Sequence, residues 1–171
     1  MEKSFQESNL SGLGMGTWGI GEEASKKKDE LAALRYGLDH GIKVIDTAEM
    51  YGEGKSEKLV GEAIKGYDRS KIFLISKFYP YHASPELERQ SLEKSLKRLG
   101  TDYLDLYLLH WRGDKRLSET VRGLKELQKE GLIRHWGVSN FDVADLEELF
   151  SVPGGKNVLL MKIYIISLSE E

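Results

Sequence analysis

The sequence predicts an α/β protein with a parallel sheet, because short apolar segments alternate with longer segments whose apolar residues recur at helical spacing. Most of the apolar segments start about thirty residues apart, the length of a βα unit. Strands of continuous Ile, Val and Leu are covered on both faces, and regular alternation with helices makes the sheet parallel. An open doubly wound sheet and a (β/α)8 barrel both satisfy this pattern. The segments are IKVIDT, KIFLISK, DYLDLYLLH, IRHWGVSN and NVLLMKIYII, which start at Ile42, Lys71, Asp102, Ile133 and Asn157.

One predicted helix has clear signals at both ends. Ser84 is a suitable N-cap, Pro85 suits the first helical position, and Glu86 and Glu88 lie where acids favour the helix dipole. Gly100 supplies a left-handed stop. The apolar stripe of this helix is Leu92, Leu96 and Leu99.

The same reasoning predicts four other helices. One runs from about Asp29 to His40 and is stopped by Gly41, another is opened by Ser118, and shorter ones start near Ser56 and Asp142. The first has its apolar stripe at Leu31, Leu34 and Leu38, and the helix opened by Ser118 at Val121, Leu124 and Leu127.

The composition favours one globular domain over residues 1–171, since 40% of the residues are hydrophobic and 31% are charged. The net charge of -3 gives no electrostatic support for a nucleic-acid or anionic-membrane partner. No cysteine is present, which excludes disulfides and thiolate metal sites and is compatible with a reducing cytosol. The polar start lacks an apolar signal core, and no run is long enough to span a bilayer. We therefore expect a cytoplasmic protein.

Polar residues stand where the predicted strands end. They are Asp46, Lys77, His110 and the pair Ser139 and Asn140. The carboxyl ends of parallel strands share one face of a sheet, so these side chains should converge. Each residue alone has a common structural role, as a turn, a solvated charge or a satisfied histidine. Together, three different ionisable types on consecutive strands predict an active site.

Tyr51 follows Asp46 by five residues, in the glycine-bearing loop YGEG. This loop can fold the phenol back toward Lys77. A cation beside a phenol favours the phenolate, and an acid paired with that lysine keeps it charged and in place. The arrangement predicts a tyrosine that exchanges a proton near neutrality.

With these residues in this order, the chain resembles the aldo-keto reductase family. The motifs are VIDTAEMYGEGKSEKLVGEAI, LISKF, DYLDLYLLHW and GLIRHWGVSNF, and the resemblance extends from GLGMGTWGIG to GVSNF. It implies a (β/α)8 TIM barrel, of which this chain would form about the first five to six βα units. It also implies NADPH as the usual hydride donor (cofactor NADP) and reduction of small-molecule aldehydes or ketones to alcohols.

The resemblance also implies roles for individual residues. Tyr51 would be the general acid, Lys77 and Asp46 would tune it, and His110 would orient or polarise the substrate carbonyl. The residues expected near the cofactor are Gly16, Thr17, Trp18, Asp46, Ser139 and Asn140, of which the last two would hold the carboxamide.

A complete barrel of this type needs about 250 residues, so we expect a C-terminally truncated member. In the tail, Met161 and Lys162 stand where the family commonly has an Asn-Gln pair. A non-catalytic or regulatory relative without a complete cofactor site is therefore the alternative function. An open barrel edge also predicts self-association, with dimers or larger species in solution.

Three other interpretations of the sequence have weaker support. GMGTWG fits the G-x-G-x-x-G pattern but lacks the flanking strand and helix of a dinucleotide fingerprint. The converged residues could be only an ion-paired rim, although a buried ion pair is a weak device for stability alone. No metal site is expected, because the histidines are scattered.

Aromatic residues near the strand ends are as suited to packing as to a substrate wall. They are Trp18, Tyr79, Tyr81 and Trp111.

Overall fold

Residues 12–160, the part of the chain that this computed structural model describes, alternate strand and helix throughout. The strands that correspond to the first four apolar segments are shorter than those segments. The elements are β1 (Gly14–Gly16), α1 (Lys27–Asp39), β2 (Val44–Asp46), α2 (Lys55–Ile64), β3 (Phe73–Phe78), α3 (Pro85–Leu99), β4 (Leu104–Leu109), α4 (Leu117–Lys129), β5 (Ile133–Val138), α5 (Val143–Ser151) and β6 (Leu159–Leu160).

The six strands form one parallel sheet in sequential order, β1-β2-β3-β4-β5-β6. A doubly wound sheet reverses its strand order at a switch point, and this sheet does not. The order is that of a barrel wall, so the structure selects the second of the two predicted folds. Within residues 12–160, β1 and β6 are the two edges of the sheet.

The two faces of the sheet carry different side chains, because successive residues of a strand point to opposite faces. The main core lies between the sheet and the helices and includes Ile45, Leu74 and Tyr107 from the strands. A second, smaller apolar cluster contains strand residues alone, among them Ile75 and Leu108. Asp46, Lys77 and His110 have the same parity as this second cluster: each stands two residues beyond one of Val44, Ile75 and Leu108. All three side chains therefore lie on the face of the sheet that points away from the helices, here called the inner face, at the carboxyl ends of the strands.

The strand register sets the heights of these side chains. Asp46 is paired with Ile75, so Lys77 lies one inward-facing layer above Asp46. Lys77 is paired with Leu108, so His110 lies one layer higher again. This stagger is the shear of a barrel wall. It arranges the three groups as a rising series around one opening.

Most of the predicted helix signals are confirmed. α3 has Ser84 at its N-cap position, although this serine side chain makes no capping hydrogen bond within the described residues, Pro85 at the next position and Gly100 at its end with a φ of 66°. Gly41 follows α1 with a φ of 86°. α5 begins with a capping box in which Asp142 and Asp145 exchange side-chain to backbone hydrogen bonds.

Two helix predictions are wrong. Ser118 does not open α4: the N-cap is Arg116, because the helix begins at Leu117, which is buried in the core. Glu88, in the first turn of α3, does not act as a charge at the N-terminus of the helix. Its side chain is fully buried, and burial raises its pKa to about 9. At neutral pH this carboxyl group is protonated, so it carries no charge for the dipole to stabilise.

Some predictions lie outside the described residues. These include the tail with Met161 and Lys162 and all of the sixth segment beyond Leu160. Self-association and a single domain over residues 1–171 stay predictions. None of the helices in residues 12–160 combines the length and apolar character needed to cross a membrane.

Candidate active site

Lys77 is the centre of the candidate site. Its side chain is only 2% exposed, and its Nζ lies 2.8 Å from each carboxylate oxygen of Asp46. The same ammonium donates to the carbonyl oxygen of Thr47 at 3.1 Å and to the phenol oxygen of Tyr51 at 3.1 Å. A buried ammonium has three protons to place, and here oxygen atoms accept all of them. The lysine is therefore held in one position against the phenol.

Asp46 ends β2 and is largely buried. Burial raises the pKa of its carboxyl group, whereas the Lys77 ammonium beside it favours the ionised form. The backbone of Asp46 is also engaged, because its carbonyl oxygen accepts from both the amide and the hydroxyl of Thr17. Asp46 thus connects the lysine to the first loop.

Tyr51 is brought to the lysine by a tight loop between β2 and α2. The amide of Tyr51 donates to the carbonyl oxygen of Ala48 at 3.1 Å, which closes a turn immediately before the tyrosine. The side chain is 7% exposed, and its ring meets the imidazole of His110 edge to face at 5.8 Å between centroids. The predicted return of the phenol toward Lys77 is present in the structure.

His110 follows β4 directly and is anchored by its amide, which donates to the carbonyl oxygen of Phe78 at 3.1 Å. Burial, and then the nearby charge of Lys77, lower its pKa to about 4. The imidazole is therefore neutral at physiological pH, with one ring nitrogen as donor and the other as acceptor. Its Nδ1 is buried and has no hydrogen-bond partner among the described residues.

Ser139 and Asn140 follow β5 and complete the rim on the far side of His110. The amide of Ser139 donates to the carbonyl oxygen of Leu109 at 2.9 Å. Asn140 has a φ of 56°, and its side-chain amide donates to the carbonyl oxygen of His110 at 3.0 Å and to the Ser139 hydroxyl at 3.2 Å. A left-handed Asn is tolerated because its short polar side chain bonds locally.

The first loop carries Gly16, Thr17 and Trp18. Gly16 ends β1 and is paired with Asp46, and Thr17 is fully buried. The hydroxyl of Ser56, from α2, contacts the carbonyl oxygen of Thr17 at 3.0 Å and that of Ile20 at 2.5 Å. Trp18 is left 67% exposed between these anchors.

A cavity of about 200 Å³ brings most of the predicted residues together. Gly16 and Thr17 do not line it, although Thr17 holds the loop that presents Trp18. Met50 lines it and was missed, since a methionine beside a tyrosine gives no sequence signal of its own. The lining residues are Trp18, Asp46, Met50, Tyr51, Lys77, His110, Ser139 and Asn140.

The aromatic residues divide between the cavity and its surroundings. Trp18 lines the cavity. Trp111 packs on His110 at 4.8 Å between ring centroids, Tyr79 meets Trp111 at 6.0 Å, and Tyr81 stacks on Tyr79 at 4.7 Å. The last three form a row of rings beside the cavity.

In the rest of the described chain, neither the residue types that bind metals nor a second cavity provides another candidate site. Residues 12–160 contain no group of three or more His, Cys, Asp or Glu side chains that could hold a metal ion. A larger cavity of about 530 Å³ lies against α4 and the segment after α5, with none of the predicted site residues in its lining.

Buried polar residues behind the site were missed by sequence reasoning. Glu49, Ser56 and Glu57 are each buried and hydrogen-bonded to another element. Glu and Ser in loops and helices are usually solvated, so their residue types gave no indication of burial.

Comparison with known proteins gives the family. The model of the aldo/keto reductase family matches residues 12–168. The methylglyoxal reductase YeaE of Escherichia coli (strain K12) is 53% identical over 147 residues, which are 86% of this chain and 51% of that protein. The glyoxal reductase of Bacillus subtilis (strain 168) is 40% identical over 142 residues, covering 81% of this chain and 50% of that protein.

A solved structure agrees with these relatives. An aldo-keto reductase from Klebsiella pneumoniae, crystallised in complex with NADPH, superposes with a TM-score of 0.84 at 50% identity, covering 87% of this chain and 52% of that chain. This chain spans about half the length of the curated relatives it matches. The predicted fold, a partial (β/α)8 barrel, is confirmed. The chain belongs to the aldo/keto reductase family.

Proposed function

We propose that this site reduces a small aldehyde or ketone to an alcohol with NADPH, with Tyr51 as the proton donor. The observation that carries the proposal is the position of the Lys77 ammonium, 3.1 Å from the Tyr51 oxygen and 2.8 Å from the Asp46 carboxylate. A cation at this distance stabilises the phenolate that remains after proton transfer. The ion pair therefore lowers the energy of the state that follows the transfer.

NADPH supplies a hydride when bound, and the protein must supply the matching proton. With the hydride supplied to the carbonyl carbon, the Tyr51 hydroxyl would give its proton to the carbonyl oxygen, which would leave an alcohol and a phenolate beside Lys77. General acid catalysis of this type contributes about 10²- to 10⁴-fold to a rate. Solvent returns the proton to the phenolate after the reaction.

His110 is proposed to hold the carbonyl oxygen. Its neutral imidazole can donate one hydrogen bond, and its ring stands edge to face with that of Tyr51. A carbonyl oxygen in the cavity would then accept from the imidazole and from the phenol together. A neutral N–H donor suits this role because it orients the carbonyl without giving up its own proton, which leaves proton donation to Tyr51.

The residues at the rim fit the nicotinamide end of the cofactor. A carboxamide has one acceptor and two donor positions. Ser139 and Asn140 offer a hydroxyl and an amide oxygen at the cavity, and Asn140 is fixed by its two donated hydrogen bonds. We assign these two residues to the carboxamide, with Trp18 and its loop, which includes Gly16 and Thr17, on the opposite side.

The names of two relatives favour a small substrate. Two of the relatives described above are named for the reduction of methylglyoxal and glyoxal. We therefore propose a short dicarbonyl compound, with methylglyoxal as the first substrate to test.

The test has a binding step and a turnover step. Tryptophan fluorescence is titrated with NADPH, and NADPH consumption is then followed with methylglyoxal. The proposal is supported if the parent and the exposed-lysine control Lys94→Met bind NADPH saturably and turn over, while Lys77→Met still binds NADPH but has lost turnover. A protein that binds no NADPH fits the non-catalytic alternative instead, and undiminished turnover in Lys77→Met contradicts the proposed chemistry.

A further inference from the structure

The loop that carries Tyr51 has a backbone that depends on outside support. Gly52, Glu53 and Gly54 have φ angles of 55°, 54° and 83°, so three consecutive residues are left-handed. For Glu53, which has a Cβ atom, this conformation costs about 1 to 2 kcal/mol. Only a few short-range turn bonds lie within the loop, so contacts from other elements must keep it in place.

Glu49 supplies such contacts before the tyrosine. It is 8% exposed, and its Oε1 accepts from the amide of Tyr79 at 2.7 Å and lies 2.9 Å from the Nδ1 of His82. Its Oε2 accepts from the hydroxyl of Ser91 on α3. Hydrogen bonds to a buried carboxylate are strong and directional. They join the segment just before Tyr51 to the loop after β3 and to α3.

Glu57 supplies a second set of contacts after the tyrosine. It is fully buried, and it accepts from the hydroxyl of Ser76 at 2.6 Å and from the Nε of Arg98 at 2.5 Å. The side chain of Arg98 also lies directly against Gly54, where a Cβ atom would stand 2.6 Å from its Cδ. This contact leaves room for a glycine alone.

Each set includes a contact to the same face of α3. Ser91, Ser95 and Arg98 are spaced by four and three residues, which places them in a row along a helix. Arg98 donates to the Ser95 hydroxyl at 3.1 Å, and the two serines are buried. This polar row of α3 contacts Glu49, Gly54 and Glu57, which lie on either side of Tyr51 in the chain.

We propose that Glu49 is a positioning residue for Tyr51, holding the tyrosine loop against α3 while the Glu57–Arg98 pair holds its other end. The proposal rests on the proposed function for its effect on catalysis. The Tyr51 hydroxyl must stay 3.1 Å from Lys77 and close to the substrate oxygen. A misplacement of about 1 Å costs about 10²-fold in rate.

The chain offers a matched control for this proposal. Glu88 is also a buried glutamate, but it belongs to α3 itself, and its carboxyl group packs against Gly123 of α4. Glu49→Ala, Glu49→Gln and Glu88→Gln are compared with the parent protein. Glu49→Gln keeps an oxygen that can accept from the amide of Tyr79. It is therefore the variant to measure if Glu49→Ala does not fold.

Two measurements are made on each variant. Amide hydrogen exchange at positions 49 and 51 reports how often the loop opens, and it needs no catalytic activity. Steady-state kinetics with methylglyoxal, in light and heavy water, report kcat, KM and the solvent isotope effect on kcat.

The proposal predicts faster exchange and a kcat about 10- to 100-fold lower in Glu49→Ala, with KM and the NADPH dissociation constant within about twofold of the parent. The solvent isotope effect should rise, because proton transfer becomes slower, and Glu49→Gln should restore part of kcat. Glu88→Gln should match the parent in all of these. Parental exchange and kcat in both Glu49 variants overturn the proposal.

The two proposals fail separately. If Tyr51→Phe keeps parental turnover, the proposed function is wrong, while the exchange comparison still decides whether Glu49 holds the loop. If Tyr51→Phe is inactive and the Glu49 variants behave like Glu88→Gln, the positioning role is wrong and the function stands.

Discussion

The ammonium of Lys77 contacts the phenol oxygen of Tyr51 at 3.1 Å, although the two residues are 26 positions apart in the chain. The contact exists because β3 brings the lysine to the inner face of the wall, while the turn after β2 that Tyr51 closes with Ala48 returns the tyrosine to it. Asp46, on the neighbouring strand, accepts a hydrogen bond from the same ammonium. A charged group, its counterion and a titratable hydroxyl thus share one buried site, which favours chemistry over stability as the reason for the arrangement.

Replacing Lys77 by Met should affect stability as well as turnover. The change leaves the Asp46 carboxylate buried without its cation, so we expect a loss of about 3 to 5 kcal/mol in the free energy of unfolding. The double variant Asp46→Asn with Lys77→Met should recover much of that stability and none of the turnover. Chemical denaturation and NADPH consumption measure the two effects. A double variant as unstable as the single one would contradict the ion-pair account.

His110 should make the protein less stable in mild acid. Its folded pKa of about 4 lies below the ordinary 6.5, so the unfolded state binds more protons between these values. The free energy of unfolding therefore falls as pH drops from 6.5 toward 4, by roughly 2 kcal/mol between pH 7 and pH 5. His110→Gln should lack this component. Denaturation at both pH values gives the difference, and equal pH dependence in variant and parent would show that the buried imidazole is not its source.

Glu88 should have the opposite pH dependence. Its folded pKa of about 9 lies above the ordinary 4.5, so the folded state keeps a proton that the unfolded state releases. Its contribution to stability is greatest below pH 4.5 and falls as pH rises toward 9, by roughly 2 kcal/mol between pH 5.5 and pH 7. Glu88→Gln removes the ionisation and should be more stable than the parent at pH 7. Melting curves at the two pH values test this, and a variant without any gain at the higher pH would rule it out.

Ser56 should matter for the first loop more than for the fold. Its hydroxyl contacts the carbonyl oxygens of Thr17 and Ile20. These two residues flank Trp18, which lines the cavity, in the first loop. Ser56→Ala should lose about 1 kcal/mol of stability and bind NADPH more weakly, because the loop beside the proposed nicotinamide site is released. Ser118→Ala, at an exposed position of α4, is the control. Fluorescence titration measures the affinity, and equal affinities in the two variants would exclude a role for this tether in binding.

The sequence predicted much of this site because its geometry follows from strand periodicity. Asp46, Lys77 and His110 lie at the carboxyl ends of consecutive strands, and the alternation of side chains along a strand places all three on the inner face. The barrel order and the roles of Ser139 and Asn140 came from the family resemblance, since periodicity alone left a doubly wound sheet open. The strand register, which sets the relative heights of Asp46, Lys77 and His110, came from the structure.

The supporting residues could not be predicted for a physical reason. Glu49 and Glu57 are buried only because donors from distant elements, such as Ser91 and Arg98, meet them in the fold. Nothing in the local sequence distinguishes them from solvated glutamates, and the same holds for Glu88. The start of α4 was misplaced for a related reason, because burial of a leucine outweighed the capping preference of Ser118.

The most direct test of the central claim compares Tyr51→Phe with the parent protein in the NADPH-dependent reduction of methylglyoxal. Phenylalanine keeps the ring against His110 and removes only the hydroxyl, so NADPH affinity should change little. The account predicts that kcat falls by about 10²-fold or more while NADPH still binds. Turnover equal to that of the parent in a variant that binds NADPH normally would show that Tyr51 is not the proton donor.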